Sequence, residues 1–391
     1  MYSTSSYHQT PSLPNELLND IFIYLPSPSL AALSRVSHRY NAVAEHVLYS
    51  SIFIRDFLSE STPFPWRTFR CCESILARPH LVDNLKRFHI KWQKHPEVPP
   101  PTHVYFAPTV AKLHYTLGLL SFLEHLELSL GPVHTLSSTR GGEGAGAGAG
   151  GGMHVIERVI QTHSFPHLQS CSLGLEYTKL SPFFSDILPT FLSTLTSLRH
   201  LKLPEHCSTL VDLPTGSLQN LVSFRGSPGA AGCLLPGRPV QFLSLVGQDS
   251  DVSRENLLRI TQTSVPLRYL DLSAMSVRPA LIRNIATFLP DIEVLKVKLA
   301  LRHTLHFALS GIRLLTGLSS VLNAFHHLIH LDLSPTAAIA GSTPSNASSD
   351  VDQELGLCRE WARACPSLRR VVFPSRTEWV LSEQEDDWRV V

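Results

Sequence analysis

The sequence predicts an α/β protein in two parts: a small N-terminal unit of three helices, then an irregular solenoid with parallel strands inside and helices outside. Two observations predict it. Between Leu13 and Leu48 apolar residues recur at helical spacing in three short runs. From about residue 80 onward the phrase L-x-x-L-x-L keeps returning, usually after an amphipathic helical stretch. Alternating helix and strand at such a period stacks into a curved array in which each unit buries the next.

The elements follow in chain order. Residues 1–11 read as a disordered lead, and 12–50 as the helical unit. The first helix is expected from about Pro14 to Leu25, because proline is tolerated in a first turn that has no N–H bond to lose. Leu17, Leu18, Ile21, Phe22 and Leu25 share one of its faces. The run Pro26-Ser27-Pro28-Ser29 stops it, with Ser29 placed as the next N-cap. Leu30, Leu33, Val36 and Tyr40 form a second stripe; Val43, Ala44, Val47 and Leu48 form a third. So small a core needs a partner surface to cover its remaining apolar face.

The wording of this stretch resembles an F-box. The family pattern opens with L-P and an acidic residue, matched by Leu13-Pro14 and Glu16. It continues with a leucine, an I-F pair and another leucine, matched by Leu17, Ile21-Phe22 and Leu25. Leu30, Leu33 and the Val36-Ser37 step match its later positions. The sequence departs where the family often has Asp before the leucine matched by Leu30 (here Ser29), and where Tyr40 replaces a tryptophan. The phrase SRVSHRYNAVAEHVLYSSI is similar to the F-box ends of many fungal proteins with degenerate leucine-rich repeats. The resemblance implies helices laid against a Skp-type adaptor and, through it, a cullin ubiquitin ligase. It assigns Leu13, Pro14, Leu17, Ile21, Phe22, Leu25, Leu30, Leu33, Val36 and Tyr40 to adaptor binding. It also implies a non-catalytic receptor of the ubiquitin pathway.

Residues 51–380 read as the leucine-rich-repeat-like solenoid. Strong copies of the phrase begin at Leu123, Leu198, Leu218, Leu267, Ile292 and Leu328; weaker ones at Leu81, Leu168, Val240 and Leu368. Starts between Leu198 and Ile292 lie roughly 20 to 27 residues apart, the leucine-rich-repeat period. Pro166, Pro266, Pro290 and Pro366 sit just before strand starts, where proline ends a helix and leaves its neighbours extended. Low-complexity insertions are expected at 137–152, containing GGEGAGAGAGGG, and at 335–351, containing GSTPSNASSD. An acidic tail is expected at 381–391.

Residues between the buried strand leucines point to the opposite, concave face. They are His125, Glu127, His200, Lys202, Tyr269, Asp271, Lys296, Lys298, His330 and Asp332, and they form the expected face for an unknown target protein. A non-catalytic repeat scaffold acting outside ubiquitylation is the rival reading.

Composition bounds the rest. At 43% hydrophobic the chain can bury a large core, and a net charge of +1 without basic runs argues against nucleic-acid or membrane-surface partners. No apolar run reaches the roughly 18 residues of a membrane span. MYSTSSYHQTPS lacks the form of a secretory signal, and seven cysteines without a C-x-x-C pair fit free thiols in the cytoplasm or nucleus. Gly146, Gly148 and Gly151 satisfy G-x-G-x-x-G but sit in a Gly/Ala repeat rather than at a strand-to-helix turn. His303, His306, His326, His327 and His330 cluster without ligand spacing, so no metal and no cofactor is expected.

Overall fold

The computed structural model describes residues 13–94, 97, 107–131, 155–174, 187–205, 213–214, 216–300, 311–336, 347–382 and 387–391. The chain opens with three helices: α1 (Asn15–Phe22), α2 (Ser27–Leu33) and α3 (His38–Ser50). Then β1 (Ser51–Leu58), α4 (Trp66–Leu76), β2 (Arg87–Lys94), α5 (Ala107–Leu119), β3 (His125–Ser129), α6 (Val155–Ile160), β4 (Ser170–Gly174) and α7 (Ile187–Ser193) follow. The middle holds β5 (His200–Lys202), β6 (Ser223–Gly226), α8 (Pro228–Leu234), β7 (Phe242–Leu245), α9 (Arg254–Ile260), β8 (Tyr269–Val277), α10 (Pro279–Phe288) and β9 (Val294–Leu299). The chain closes with α11 (Ser319–Leu322), β10 (His330–Asp332), α12 (Ala347–Ala364), β11 (Arg370–Val372), β12 (Glu378–Leu381) and β13 (Trp388–Val390).

All of these strands belong to one open sheet, in which each strand pairs with the next in sequence. Pairing is parallel from β1 to β11, then antiparallel through β12 and β13. The register is simple. Phe88, Leu126, Cys171, Leu201, Phe224, Leu243, Leu270, Leu295, Leu331 and Val371 form one buried row across consecutive strands. Strand alternation turns this row toward the helices and leaves its neighbours on the other face.

A hydrogen-bond fork repeats with the row. The N–H groups of Glu124 and His125 both donate to the Lys86 carbonyl, at 2.9 Å each. The same pair of bonds recurs at each step from β3 to β11, ending with Arg369 and Arg370 on the Ile329 carbonyl. The repeated phrase in the sequence therefore corresponds to a repeated backbone contact.

Several expectations are corrected. The phrase assigned to Leu218 begins in register at Leu221; Leu218 sits in the preceding turn with φ of 57°. The first helix ends at Phe22 rather than Leu25. Pro26, not Ser29, caps the second, and Ser37 breaks the Leu30–Tyr40 stripe by accepting the Tyr40 N–H at 3.1 Å. Within the 335–351 insertion Thr336 is buried, its hydroxyl accepting the Leu299 N–H at 3.0 Å, and α12 starts at Ala347; 337–346 lie outside the described residues. The acidic tail contains β13, which sets Trp388 opposite Leu381 and adds it to the buried core beside the rest of β12. The 1–11 lead, the 137–152 insertion, the cysteine Cys207, and His303 and His306 lie outside the described residues.

The two parts meet at β1. Its inward Asp56 accepts the Arg67 and Thr68 N–H groups at 2.9 Å each and the Thr68 hydroxyl at 2.6 Å. The Thr68 hydroxyl in turn accepts the Trp92 indole N–H at 2.9 Å. This buried chain fixes the start of α4 against β1 and β2, satisfying helix N–H groups that would otherwise be orphaned. Arg78 reaches from the sheet side to Glu45 of α3 at 3.0 Å.

Candidate functional site

The helical unit has a very small interior. Leu18, Phe22, Leu30, Val43 and Ala44 are its buried residues, with Leu25, Leu33, Tyr40, Val47 and Leu48 partly covered around them. Phe22 meets the Tyr40 ring edge-on at 5.8 Å between centroids. On α1 the pair Leu18 and Phe22 is four residues apart and faces inward. Leu17 and Ile21 sit one position earlier, rotated about 100° around the helix, and point out. Leu17 is 48% exposed, Ile21 49%, Leu13 48% and Val36 64%. Arg39 ties the entry in place: its Nε donates to Asn15 Oδ1 at 2.7 Å and its Nη2 donates to the Leu13 carbonyl.

The ten residues assigned to the adaptor therefore divide. Leu13, Pro14, Leu17, Ile21 and Val36 stand on the surface. Leu25, Leu33 and Tyr40 are half-buried, while Phe22 and Leu30 are spent inside. Those two hold the helices together and offer no surface. Ile23 and Tyr24 are exposed apolar residues that sequence reasoning passed over; the unbroken run Ile21-Phe22-Ile23-Tyr24 was the available signal, since one helix side cannot bury all four.

The free face of the sheet carries two rows of side chains. One runs Arg87, His125, Ser170, His200, Ser223, Phe242, Tyr269, Val294, His330 and Arg370. The other runs Phe53, His89, Glu127, Ser172, Lys202, Arg225, Ser244, Asp271, Lys296 and Asp332. Nine of the ten residues assigned to a target lie in these rows. Lys298 does not: a register shift between Leu272 and Ser276 sets it opposite Ser276, beyond an irregularity in β8.

Neighbours in the second row are chemically joined. Arg225 donates to the Ser244 hydroxyl at 3.1 Å, which donates to Asp271 Oδ2 at 3.0 Å. Lys296 pairs with Asp332 at 3.0 Å, and His89 with Glu127 at 3.0 Å. Burial works to raise the Asp332 carboxyl, but hydrogen bonds from Ser334 and the Lys296 ammonium outweigh it and hold it below its ordinary value. The same hydrogen bond holds Lys296 above its ordinary value. Burial, then the neighbouring Arg370, pushes His330 down, and its Nε2 has no hydrogen-bond partner. A neutral imidazole is the cheaper form in that setting.

Residues 10–55 match the family model described as F-box-like. No curated protein matches the chain. The F-box-like match covers α1 to α3 and runs into β1, so it includes the exposed Phe53 and Arg55. F-box domains generally bind Skp-type adaptors and are typically found in non-catalytic adaptor proteins. The exposed Leu13, Leu17, Ile21 and Val36 lie within the F-box-like match.

Burial pushes the Cys72 thiol up to about 11 and that of Cys171 to about 12, so neither is a poised nucleophile. Glu354, buried under β12, accepts from the Trp379 indole at 2.9 Å and the Ser375 hydroxyl at 2.6 Å. Among the described residues no group of three His, Cys, Asp or Glu could hold a metal ion.

Proposed function

We propose that this chain is a substrate-receptor subunit of a Skp–cullin–F-box ubiquitin ligase. In this reading the F-box-like domain binds the Skp-type adaptor, and the free sheet face binds a target protein. The sheet is a leucine-rich-repeat array of degenerate type; the recurring phrase and the recurring hydrogen-bond fork support that assignment. The observation that carries the proposal is that Leu13, Leu17, Ile21 and Val36 are left about half exposed or more on a unit that matches the F-box-like family.

The receptor itself performs no bond-making step. It holds the target beside the charged ubiquitin-conjugating enzyme, which turns a bimolecular encounter into an intramolecular one. The site of action is the cytoplasm or the nucleus. Co-expression with a Skp-type adaptor and a cullin tests the assignment. One complex of all three, able to ubiquitylate a captured target, is expected. Adaptor capture without cullin would favour a scaffold acting outside ubiquitylation, and no capture by a folded chain would refute the proposal.

A further inference from the structure

The free face of the sheet is divided by charge. On β1 to β6 the outward side chains include Arg55, Arg87, Lys91, Lys202 and Arg225, against the single carboxylate Glu127, which pairs with His89. Asp56, the other acid of these strands, is turned inward and engaged with Thr68. From β7 to β12 the charges balance. Asp271, Asp332 and Glu378 stand with Lys296, Lys298 and Arg370, and Lys296–Asp332 and Arg370–Glu378 close at 3.0 and 2.8 Å. Arg225 leans across the divide to Asp271 at 3.8 Å. Arg55, Arg87 and Lys202 are exposed, and among the described residues none of them joins an ion pair.

The same half carries an apolar anchor point. Phe53 is 66% exposed and lies against the His89 ring at 4.5 Å between centroids. Phe57 is exposed four residues further along the strand, on the same face. Both side chains stand on the face that the cations share, not on the helix side.

We infer that the β1 to β6 half of the sheet face takes an acidic, extended segment of the target protein, with an apolar side chain of that segment set against Phe53. This rests on the receptor reading and names the chemistry of its target. Charge complementarity selects an acidic partner, because among the described residues the strands of this half offer unpaired cations and no free outward carboxylate. Exposed aromatics beside cations select an apolar side chain next to acids over a plain anion. From β1 to β5 the face spans four strand spacings, about 19 Å, which an extended chain covers with roughly six residues. The self-paired β7 to β12 half would gain little from a charged ligand, since its ions would first have to separate.

Fluorescence anisotropy on the full chain, bound to its adaptor, tests this. The probe is a labelled peptide roughly twice that length, made of Asp and Glu with one central Phe. The comparison ligands are its Asn/Gln counterpart and a single-stranded oligothymidylate of equal length. The acidic peptide should bind roughly tenfold tighter than the amide peptide at low salt, with the preference fading as salt screens it. Arg55→Glu/Arg87→Glu/Lys202→Glu should abolish the preference, and Arg87→Glu alone should weaken it. Arg283→Glu, exposed on α10 on the opposite side, should leave it unchanged. Equal binding of the two peptides, a preference for the oligonucleotide, or equal loss in Arg283→Glu would overturn the inference. Adaptor capture is read on the same preparations. Capture without acidic preference overturns this inference alone; failure of capture by the folded chain strikes the receptor reading instead.

Discussion

The helical unit and the sheet unit handle apolar residues in opposite ways. The sheet unit places most of its large apolar side chains in one continuous core that runs from β1 to β13, with Phe53, Phe57 and Phe242 among those left outside it. The helical unit encloses five residues and leaves Leu13, Leu17, Ile21, Ile23, Tyr24 and Val36 in solvent. Surface-to-volume scaling accounts for the first half of the contrast: three short helices have too little interior for the apolar residues they carry. Under the proposed receptor reading the second half is functional: these exposed side chains are the ones a partner protein would cover. The sheet shows a different balance: its uncovered face is largely polar or charged and partly self-paired, with Phe53, Phe57 and Phe242 as exposed rings among those groups.

A matched pair of truncations should separate the two regions most sharply. Phe22→Ala and Phe224→Ala each remove a buried ring, at a cost of about 3–5 kcal/mol. In the helical unit that loss exceeds what five buried residues can absorb, so amides of 15–50 should lose hydrogen-exchange protection while those of β7 to β9 keep theirs. In the sheet the same loss should lower the melting temperature and leave both regions protected at room temperature. Equal spread of lost protection in both variants would mean that the chain unfolds as one unit, and the contrast would fail.

The junction should show a smaller effect. Asp56→Ala removes the acceptor of two helix N–H groups and of the Thr68 hydroxyl, and should cost about 1–3 kcal/mol. Exchange should rise first in α4 and β1. A change confined to α1–α3 would show that Asp56 does not join the two parts.

Smallest is the effect of the ladder on the sheet face. Asp332 titrates below its ordinary value in the folded state. Its stabilisation is therefore complete above the usual carboxylate range and is lost as pH falls through the depressed folded value. Asp332→Asn should melt slightly below the wild type at neutral pH, and the two melting curves should converge in acid. Parallel curves at every pH would remove the Lys296–Asp332 pair from the account.

Much of this was legible in the sequence, for physical reasons that name the exceptions. Period-two alternation decides which strand residues face in, so the repeated leucines alone placed the ten face residues on the outward side. Only the pairing of Lys298 opposite Ser276 was hidden, because it depends on an irregularity in β8 that nothing in LSAMSV announces. The break between α2 and α3 was hidden because Leu30, Leu33, Val36 and Tyr40 read as one stripe; only a serine acting as a cap separates them. Strand β1 was missed because Ser51–Leu58 lacks the leucine phrase, though Ile52, Ile54 and Leu58 alternate cleanly. The β12–β13 hairpin was hidden by acidic residues between Trp379 and Trp388, whose burial depends on pairing rather than on local pattern. The links through Ser244, and the charge division across the face, depend on neighbours from other strands and exist only in the fold.

The central claim is that Leu17 and Ile21 are held out of the core to be covered by an adaptor. Co-purification of the full chain with a Skp-type adaptor, beside Leu17→Asp/Ile21→Asp, tests it directly. Both side chains are about half exposed, so the variant should melt within a few degrees of the wild type. The account predicts capture of the adaptor by the wild type, and its loss in a variant that remains folded. Equal capture by both proteins, or none by a folded wild type, would contradict it.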